Sequence, residues 1–140
     1  MVAAVMLDGR IVGVHRTFLR TDGRGKADLA PDKMTVGRCK GAAVPLAPAE
    51  SMLAVAEGIE SALSILAAGL PTWAALSAGG IRNLILPAAV RQVTIAADPD
   101  PVGLIAARAA ARRWQAEGRS VAIARPPLGH DFNDLLRAES

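Results

Sequence analysis

Apolar positions near the start of the chain form two runs, at positions 2–7 and 11–19. The pair Asp8-Gly9 stands between them, and this pair favours the two-residue turn of a β-hairpin. We therefore expect the first stretch of the chain to fold as a hairpin.

The segment that follows has a different pattern. Positions 21–40 are rich in Gly, Asp, Lys and Pro and show no periodicity, which predicts a long loop. A short apolar run at 42–46 leads to Pro48, where we place a boundary. The pattern thus predicts an N-terminal β-hairpin and basic segment over 1–48, and a second domain over 49–140.

From residue 52 onward, short apolar runs alternate with helix signals, a pattern typical of a parallel α/β sheet. Gly69 and Pro71 end the first predicted helix, and Pro101 begins the longest one. We predict a small Rossmann-like parallel sheet with flanking helices. The predicted strands are 52–56, 72–76, 92–96 and 120–124, and the predicted helices are 59–68, a short one after 77–80, one from 101 to about 117, and a short one from about 132.

The composition excludes several kinds of chemistry. The chain has 140 residues, 51% of them hydrophobic and 21% charged, which allows one ordinary core. It has no tyrosine and a single cysteine, Cys39, so a phenolic nucleophile, a disulfide framework and a four-cysteine zinc site are excluded. No stretch approaches the ~20 apolar residues of a membrane span, and the start lacks the pattern of a signal peptide. We therefore expect a cytoplasmic protein without a membrane partner.

Basic residues concentrate in the N-terminal segment. The whole chain has a net charge of +3, whereas positions 16–40 hold seven basic and three acidic residues, a local charge of +4. Such a segment suits a polyanionic ligand, although a solvated loop can have the same composition. The candidates for contacts with phosphate or nucleic acid are Arg16, Arg20, Lys26 and Lys33.

Acidic residues follow two of the predicted strands. Glu57 comes directly after strand 52–56, and Asp98 and Asp100 follow strand 92–96. Ligands of open α/β sheets bind at the carboxyl ends of the strands, and residues two apart in an extended segment point the same way. If these strands are neighbours, the three carboxylates lie close together and repel one another, so they need a cation. An all-oxygen ligand set favours Mg²⁺ or Mn²⁺, and the implied chemistry is phosphoryl or nucleotidyl transfer.

Each acidic motif also has a structural interpretation. Asp100 precedes Pro101, so it fits the N-cap of a helix. Glu57 fits an exposed turn between a strand and a helix. Glu60, in the helix that follows, is interpreted as a surface residue.

A glycine-rich loop opens the short second helix. It contains Ser77, Gly79 and Gly80, and its backbone N–H groups are candidates for binding a phosphate or a nucleic-acid backbone. The alternative is that a tight turn requires the glycines.

The acidic motifs resemble those of the Toprim family, the fold shared by bacterial primases, topoisomerases and some nucleases. The segment LAVAEG at 53–58 has the signature glutamate at a strand end, and DPDPVG at 98–103 matches the later Asp-x-Asp-x-x-Gly motif. The resemblance covers residues 52 to about 136. Three further stretches resemble the Toprim region of phage and plasmid primase-helicases: HRTFLRTDGRGKA at 15–27, ALSAGG at 75–80 and GHDFNDL at 129–135.

The resemblance implies roles for the acidic residues. Glu57 would be the acid or base near the reacting phosphate, and Asp98 and Asp100 would hold Mg²⁺, so that the three form a catalytic and metal-binding group. Asp131 and Asp134 fall where primase-like members have a further acidic segment. Their spacing also resembles a capping arrangement for a last helix.

Three functions are compatible with the resemblance. The leading hypothesis is the Toprim module of a DNA primase, a Mg²⁺-dependent nucleotidyltransferase that synthesises primers on single-stranded DNA. The alternatives are a Mg²⁺-dependent Toprim nuclease and a non-catalytic nucleic-acid-binding module of a primase-helicase assembly. The absent tyrosine excludes a self-sufficient topoisomerase, and there is no zinc-binding segment or P-loop. We therefore expect single-stranded DNA and nucleotides as ligands, and a helicase or zinc-binding domain on another chain or a missing segment as a partner.

Overall fold

The structure is a computed structural model that describes residues 1–127 and 129–134. A helical turn at residues 132–134 begins the predicted last helix, and the rest of that helix lies outside the described residues. In chain order the described residues form β1 (Val2–Leu7), β2 (Arg10–Thr17), β3 (Lys33–Gly37), β4 (Val44–Pro45), β5 (Met52–Ala56), α1 (Ile59–Ala67), β6 (Thr72–Ala74), α2 (Ala78–Asn83), β7 (Gln92–Ala96), α3 (Pro101–Ala116) and β8 (Ser120–Ala124).

The N-terminal strands form an antiparallel sheet with the order β1-β2-β3. The predicted hairpin is confirmed: β1 pairs with β2, and Asp8 and Gly9 have φ values of 49° and 74°, as a type I′ turn requires. The loop predicted over 21–40 is wrong at Lys33–Gly37, which pairs with β2 as β3. All five residues of β3 are exposed, so this strand has no buried apolar face that a hydrophobic pattern could reveal.

The second sheet has the order β4-β6-β5-β7-β8. Strands β6, β5, β7 and β8 are parallel, which confirms the predicted α/β sheet with flanking helices. Strand β4 adds an antiparallel edge to β6, although it precedes the boundary placed at Pro48. Strand β6 ends at Ala74, two residues earlier than predicted, and Leu76 has a φ of 72° that is incompatible with a strand.

Strand β5 lies at the centre of this sheet and separates two layers of the core. Leu53 and Val55 pack in the cluster that contains Trp114 of α3. Ala54 and Ala56 belong to the cluster on the other face, together with residues of α1. This alternation follows the period of two in a strand. Helix α3 covers one face of the sheet and α1 covers the other.

The two sheets are joined next to the core. The N–H of Met6 donates to the carbonyl of Ala43 at 2.7 Å, and the N–H of Ala43 donates to the carbonyl of Met6 at 3.1 Å. Val5, which is fully buried, packs in the same cluster as α1. The N-terminal sheet is therefore packed against the face of the large sheet that α1 covers. No helix within the described ranges is long and apolar enough to cross a membrane.

Candidate active site

The crevice at the carboxyl ends of β5 and β7 brings the predicted acidic residues together. The chain leaves β5 for β6 on one side and then returns to β7 on the other, so the winding direction switches between β5 and β7. These strands pair in parallel along their whole length, which meets the condition under which the three carboxylates were expected to lie close together. Glu57 and Asp98 therefore follow adjacent strand ends, where open α/β sheets bind ligands.

A cleft of about 560 Å³ lies at this crevice. Its walls come from the loop between β7 and α3, the start of α1, the segment 19–33 and residues 130–133. Carboxylates outnumber cations among its lining side chains. The charged lining residues are Lys26, Lys33, Glu57, Glu60, Asp98, Asp100 and Asp131.

Burial and mutual repulsion disfavour the ionised forms of two carboxylates in this cleft. The pKa of Glu57 is raised first by burial and then by the charges of Asp98 and Asp100. The pKa of Asp98 is raised by burial, then by Asp100 and, more weakly, by Asp131, whereas Lys33 opposes both shifts. The cleft therefore holds more negative charge than Lys33 compensates, a condition that favours binding of a cation.

The donor types in the cleft fit a hard divalent cation. Carboxylate oxygens are the ligands that Mg²⁺ and Mn²⁺ prefer. One oxygen of Asp100 accepts a hydrogen bond from the N–H of Gly103 at 2.7 Å, so Asp100 caps α3 and keeps its other oxygen for the cleft. Within residues 1–127 and 129–134, no three His, Cys, Asp or Glu side chains converge on a common ligand position. The chemistry of the donors fits the predicted metal, while their positions do not by themselves form a coordination shell.

Two backbone contacts fix the position of Glu57. The N–H of Ala78 lies near its carboxylate and slightly lowers the pKa of Glu57, and the carbonyl of Glu57 accepts a hydrogen bond from the N–H of Leu76 at 2.8 Å. The φ of 72° at Leu76 lies in the left-handed region, which is uncommon for leucine, and backbone strain of this kind clusters at functional sites. The turn after β6 therefore contacts Glu57 directly, through the backbone of Leu76.

The glycine-rich loop caps α2 and packs closely. The hydroxyl of Ser77 accepts a hydrogen bond from the N–H of Gly80 at 2.9 Å. A Cβ on Gly80 would lie 1.8 Å from the carbonyl oxygen of Ala75, whereas one on Gly79 would meet its nearest atom at 3.7 Å. The loop lines a separate cleft of about 320 Å³. Close packing therefore explains the glycine at position 80, and phosphate binding by this loop stays a prediction.

The predicted basic contacts lie in different environments. Lys33 and Lys26 both line the cleft, and the ammonium of Lys26 is ion-paired with Glu60 at 2.9 Å. Arg20 is paired with Asp22 at 3.5 Å, outside the lining of the cleft. Of these three residues only Lys33 lines the cleft without an ion pair among the described residues, and the predicted phosphate contacts of all three stay a prediction.

Arg16 lies on the face of the N-terminal sheet opposite to the one that carries His15, Thr17 and Lys33. Its neighbours His15 and Thr17 are buried, and successive side chains of a strand point to opposite faces. The guanidinium of Arg16 lies 6.0 Å from the centre of the Phe18 ring and 3.1 Å from the sulfur of Met34. The structure therefore does not bring Arg16 to the cleft.

Asp131 and Asp134 form a reciprocal capping arrangement. The N–H of Asp134 donates to Asp131 at 2.8 Å, and the N–H of Asp131 donates to Asp134 at 3.0 Å, as in a capping box. Asp131 also lines the cleft and contributes to the raised pKa of Asp98. A metal-binding role for either residue stays a prediction, and the end of the 129–135 motif lies outside the described residues.

Glu60 and His15 have surroundings that the sequence did not reveal. Glu60 is exposed, as interpreted, yet it lines the cleft and pairs with Lys26. His15 is 5% exposed, and its Nδ1 lies 2.7 Å from the hydroxyl of Thr35. Burial, and after it the charge of Lys33, lowers the pKa of His15. No local signal joins residues this far apart along the chain, and only the alternating pattern of β2 indicates that His15 faces inward.

Comparison with protein-family models divides the chain into two matched regions. The model of the Toprim domain matches residues 52–140. A model described as a domain of unknown function (DUF7146) matches residues 1–46. A search of curated proteins finds no match.

Three solved primase structures are similar to the chain. A DNA primase domain from Pseudomonas aeruginosa has 19% identity and a TM-score of 0.59, with 98% of this chain and 53% of that chain covered. The zinc-binding and RNA polymerase domains of the Aquifex aeolicus primase have 20% identity and a TM-score of 0.67, with coverage of 97% and 37%. The RNA polymerase domain of the Mycobacterium tuberculosis primase DnaG has 18% identity and a TM-score of 0.61, with coverage of 97% and 52%. These likenesses show a shared fold, and the chain spans about half or less of the length of each matched structure.

Proposed function

Because the chain belongs to the Toprim family through residues 52–140, we propose that it is the nucleotidyl-transfer module of a DNA primase, which synthesises primers on single-stranded DNA. One observation carries the proposal: Glu57, Asp98 and Asp100 line one cleft at the switch point of the sheet, together with Lys33. A cleft with paired carboxylates and a cation suits the handling of nucleotide phosphates. Template selection and unwinding come from other domains in this proposal, and a helicase or a zinc-binding domain is the partner we propose.

The acidic residues divide the work according to their surroundings. Asp98 and Asp100 are the residues we assign to a divalent cation, Mg²⁺ or Mn²⁺, with Glu57 beside them. When bound, such an ion neutralises phosphate charge and orients the transferred nucleotide. The raised pKa of Glu57 makes it a better proton acceptor than an ordinary carboxylate, so we assign it the proton of the attacking hydroxyl. The hydrogen bond from the N–H of Leu76 to its carbonyl fixes the backbone of Glu57 beside the cleft.

Cations at the cleft supply phosphate contacts in this proposal. Lys33 lowers the pKa of both Glu57 and Asp98, which means that its charge reaches the centre of the acidic group. We assign Lys33 to the nucleotide phosphates and Arg20 to the template backbone, since phosphate contacts dominate the affinity for single strands. The N–H groups of the Ser77 loop are a further proposed contact.

Primer synthesis by the purified chain tests the proposal. The chain is incubated with a single-stranded DNA template, labelled nucleotides and Mg²⁺ or Mn²⁺, and the products are resolved by length. Glu57→Gln should reduce synthesis by at least ~100-fold while thermal unfolding stays cooperative. The matched control is Glu50→Gln, which removes the same charge from an exposed position before the opposite end of β5 and should retain synthesis.

The same assay separates the alternative functions. When the template strand carries the label and nucleotides are omitted, cutting of that strand, lost in Glu57→Gln, would replace the primase proposal with a nuclease. Salt-dependent strand binding that survives Asp98→Asn, with neither synthesis nor cutting, would replace it with a binding module. Synthesis within a few-fold of the wild type in Glu57→Gln would overturn the role of the acidic group.

A further inference from the structure

A small hairpin stands at the rim of the cleft. Leu19 pairs with Lys26 as an antiparallel bridge, and the N–H of Arg20 donates to the carbonyl of Gly25 at 2.9 Å. We call residues 19–26 the rim hairpin. Its tip is basic and exposed, and its base contributes Leu19, Gly25 and Lys26 to the lining of the cleft.

Lys26 ties the base of the rim hairpin to the second domain. Its ammonium lies 2.9 Å from Glu60 of α1 and 3.6 Å from Asp32. The hydrogen bond with Glu60 is the largest contribution to the raised pKa of Lys26. For Glu60, burial is the largest single influence and would raise the pKa, but the hydrogen bond and charge of Lys26, its own backbone N–H and the charge of Lys33 together lower it. Both partners therefore favour their charged forms, and the ion pair links an element of the N-terminal segment to the first turn of α1.

The charge of Lys26 is balanced by neighbouring carboxylates through ion pairs, whereas the charge of Lys33 is not. Two carboxylates lie within 4 Å of Lys26, whereas no ion pair of Lys33 occurs among the residues that the structure describes. A lysine already paired twice is a weak phosphate ligand, since an incoming phosphate would have to compete with both partners. This argues for a positioning role of Lys26 in place of the direct phosphate contact predicted from its basic charge.

We infer that Glu60 is a positioning residue, which acts through Lys26 to hold the rim hairpin beside the cleft so that Arg20 and Arg24 contact a nucleic-acid strand bound there. The inference rests on the proposed function in taking a nucleic-acid strand as the ligand. It assigns Glu60 a favourable contribution to binding a polyanion, although its own charge repels one.

The two possible roles of Glu60 predict opposite changes in oligonucleotide affinity when Glu60 is removed. If Glu60 acted only through its charge, its removal would strengthen the binding of an oligonucleotide, because one negative charge would leave the rim of the cleft. If Glu60 acts through Lys26, its removal frees the rim hairpin, and binding weakens because the hairpin must be ordered again when the strand binds.

The experiment compares Glu60→Gln with the wild-type chain and with Glu50→Gln, the control that removes the same charge far from the hairpin. Fluorescence anisotropy measures the binding of a fluorescein-labelled oligothymidylate without metal or nucleotides. Glu60→Gln should weaken binding by about threefold to fivefold, and the control should bind as tightly as the wild type or more tightly. Hydrogen exchange should show faster exchange of the Arg20 amide in Glu60→Gln only.

A double-mutant cycle with Lys26→Met identifies the route of the effect. In the Lys26→Met background, Glu60→Gln should no longer weaken binding, because the contact through which it acts is already absent. Tighter binding by Glu60→Gln, or unchanged exchange of the Arg20 amide, would overturn the inference. A wild-type chain that does not bind the oligonucleotide would overturn the strand-contact role.

Neither readout needs primer synthesis, so the two proposals fail separately. If the chain makes no primers, exchange and metal-free binding still report on the rim hairpin. If it makes primers that depend on Glu57 while the hairpin is unaffected by Glu60→Gln, the proposed function stands and this inference is overturned.

Discussion

Two cations of the chain, Arg119 and Lys33, have opposite surroundings. Arg119 follows α3, and its side chain is 10% exposed. Its guanidinium donates to the carbonyl oxygens of Leu86, Pro87 and Val90 at 3.0 to 3.3 Å. These bonds satisfy three carbonyls of the segment between α2 and β7, so the guanidinium of Arg119 contributes to folding.

Lys33 is exposed on β3 and faces the carboxylates of the cleft. It lowers the pKa of Glu57 and of Asp98, yet both remain raised because burial and mutual repulsion outweigh it. A basic residue whose donors bond to backbone carbonyls, as those of Arg119 do, stabilises the fold. A basic residue beside an excess of carboxylates, as Lys33 is, remains available to a ligand. The carboxylates around it repel one another, and this repulsion is unfavourable until a ligand or cation binds.

The largest expected effect is the loss of primer synthesis when Asp98, one of the carboxylates that Lys33 faces, is changed. Asp98→Asn should reduce primer synthesis by about 1000-fold, or ~4 kcal/mol of barrier. The metal-free variant should unfold at a temperature equal to or above that of the wild type. The raised pKa means that the native state holds the Asp98 proton more tightly than the unfolded state, so ionisation costs stability as pH rises through this window, and the amide removes that cost. Nucleotide incorporation and thermal unfolding measure the two changes.

The control for this variant is Asp8→Asn, which changes the same functional group in the turn between β1 and β2. It should leave both activity and unfolding temperature close to the wild type, since Asn also tolerates the left-handed turn conformation. A clear loss of stability in Asp98→Asn would contradict the electrostatic account of the cleft.

The next largest effect is expected at Arg119. Arg119→Met keeps much of the side-chain volume but removes the donors to three carbonyls, and should lower the free energy of unfolding by about 2 kcal/mol. Urea unfolding measures the loss, with the exposed Arg108→Met as a control that stays within ~0.5 kcal/mol. Oligonucleotide affinity should be unchanged while the variant is folded. A loss of affinity without a loss of stability would place Arg119 with the ligand-binding cations.

A smaller effect is expected at Lys33, on oligonucleotide binding and not on stability. Lys33→Met should leave the free energy of unfolding within ~0.5 kcal/mol of the wild type and weaken oligonucleotide binding about fivefold, with a salt slope shallower by about one. The control is Arg91→Met, which removes an exposed cation directly before β7, at the end of the strand opposite the cleft. Equal effects of both variants on binding would show that net charge, and not position, matters.

The smallest effect is expected at His15. Burial lowers its pKa, so the unfolded state binds a proton more readily, and stability falls as pH drops below the ordinary histidine value. The charges around it are Lys33, Glu60 and Lys26. His15→Gln should remove a fraction of the ~1.4 kcal/mol per pH unit that one full proton gives. Urea unfolding at several pH values measures the slope, and the exposed His130→Gln is the control.

Local patterns predicted the parts of the fold that depend on neighbouring residues. The Asp8-Gly9 turn, the alternation of strands and helices from residue 52, and the helix that begins at Pro101 all follow from backbone preferences and short-range periodicity. The placement of Glu57 and Asp98 at strand ends was predictable for the same reason. The pattern failed at Lys33–Gly37, because an exposed strand that pairs with one neighbour has no buried face to mark it.

The sequence by itself determined which chemical groups this protein has and which strand ends hold them. Only the tertiary structure decided their partners: that β5 lies beside β7, that Lys26 is paired with Glu60, and that Arg16 faces away from the cleft. The physical reason is the range of the interactions. Turns, caps and periodicity act over a few residues, whereas burial, ion pairs and pKa shifts depend on groups that are distant along the chain and meet only when the sheets pack.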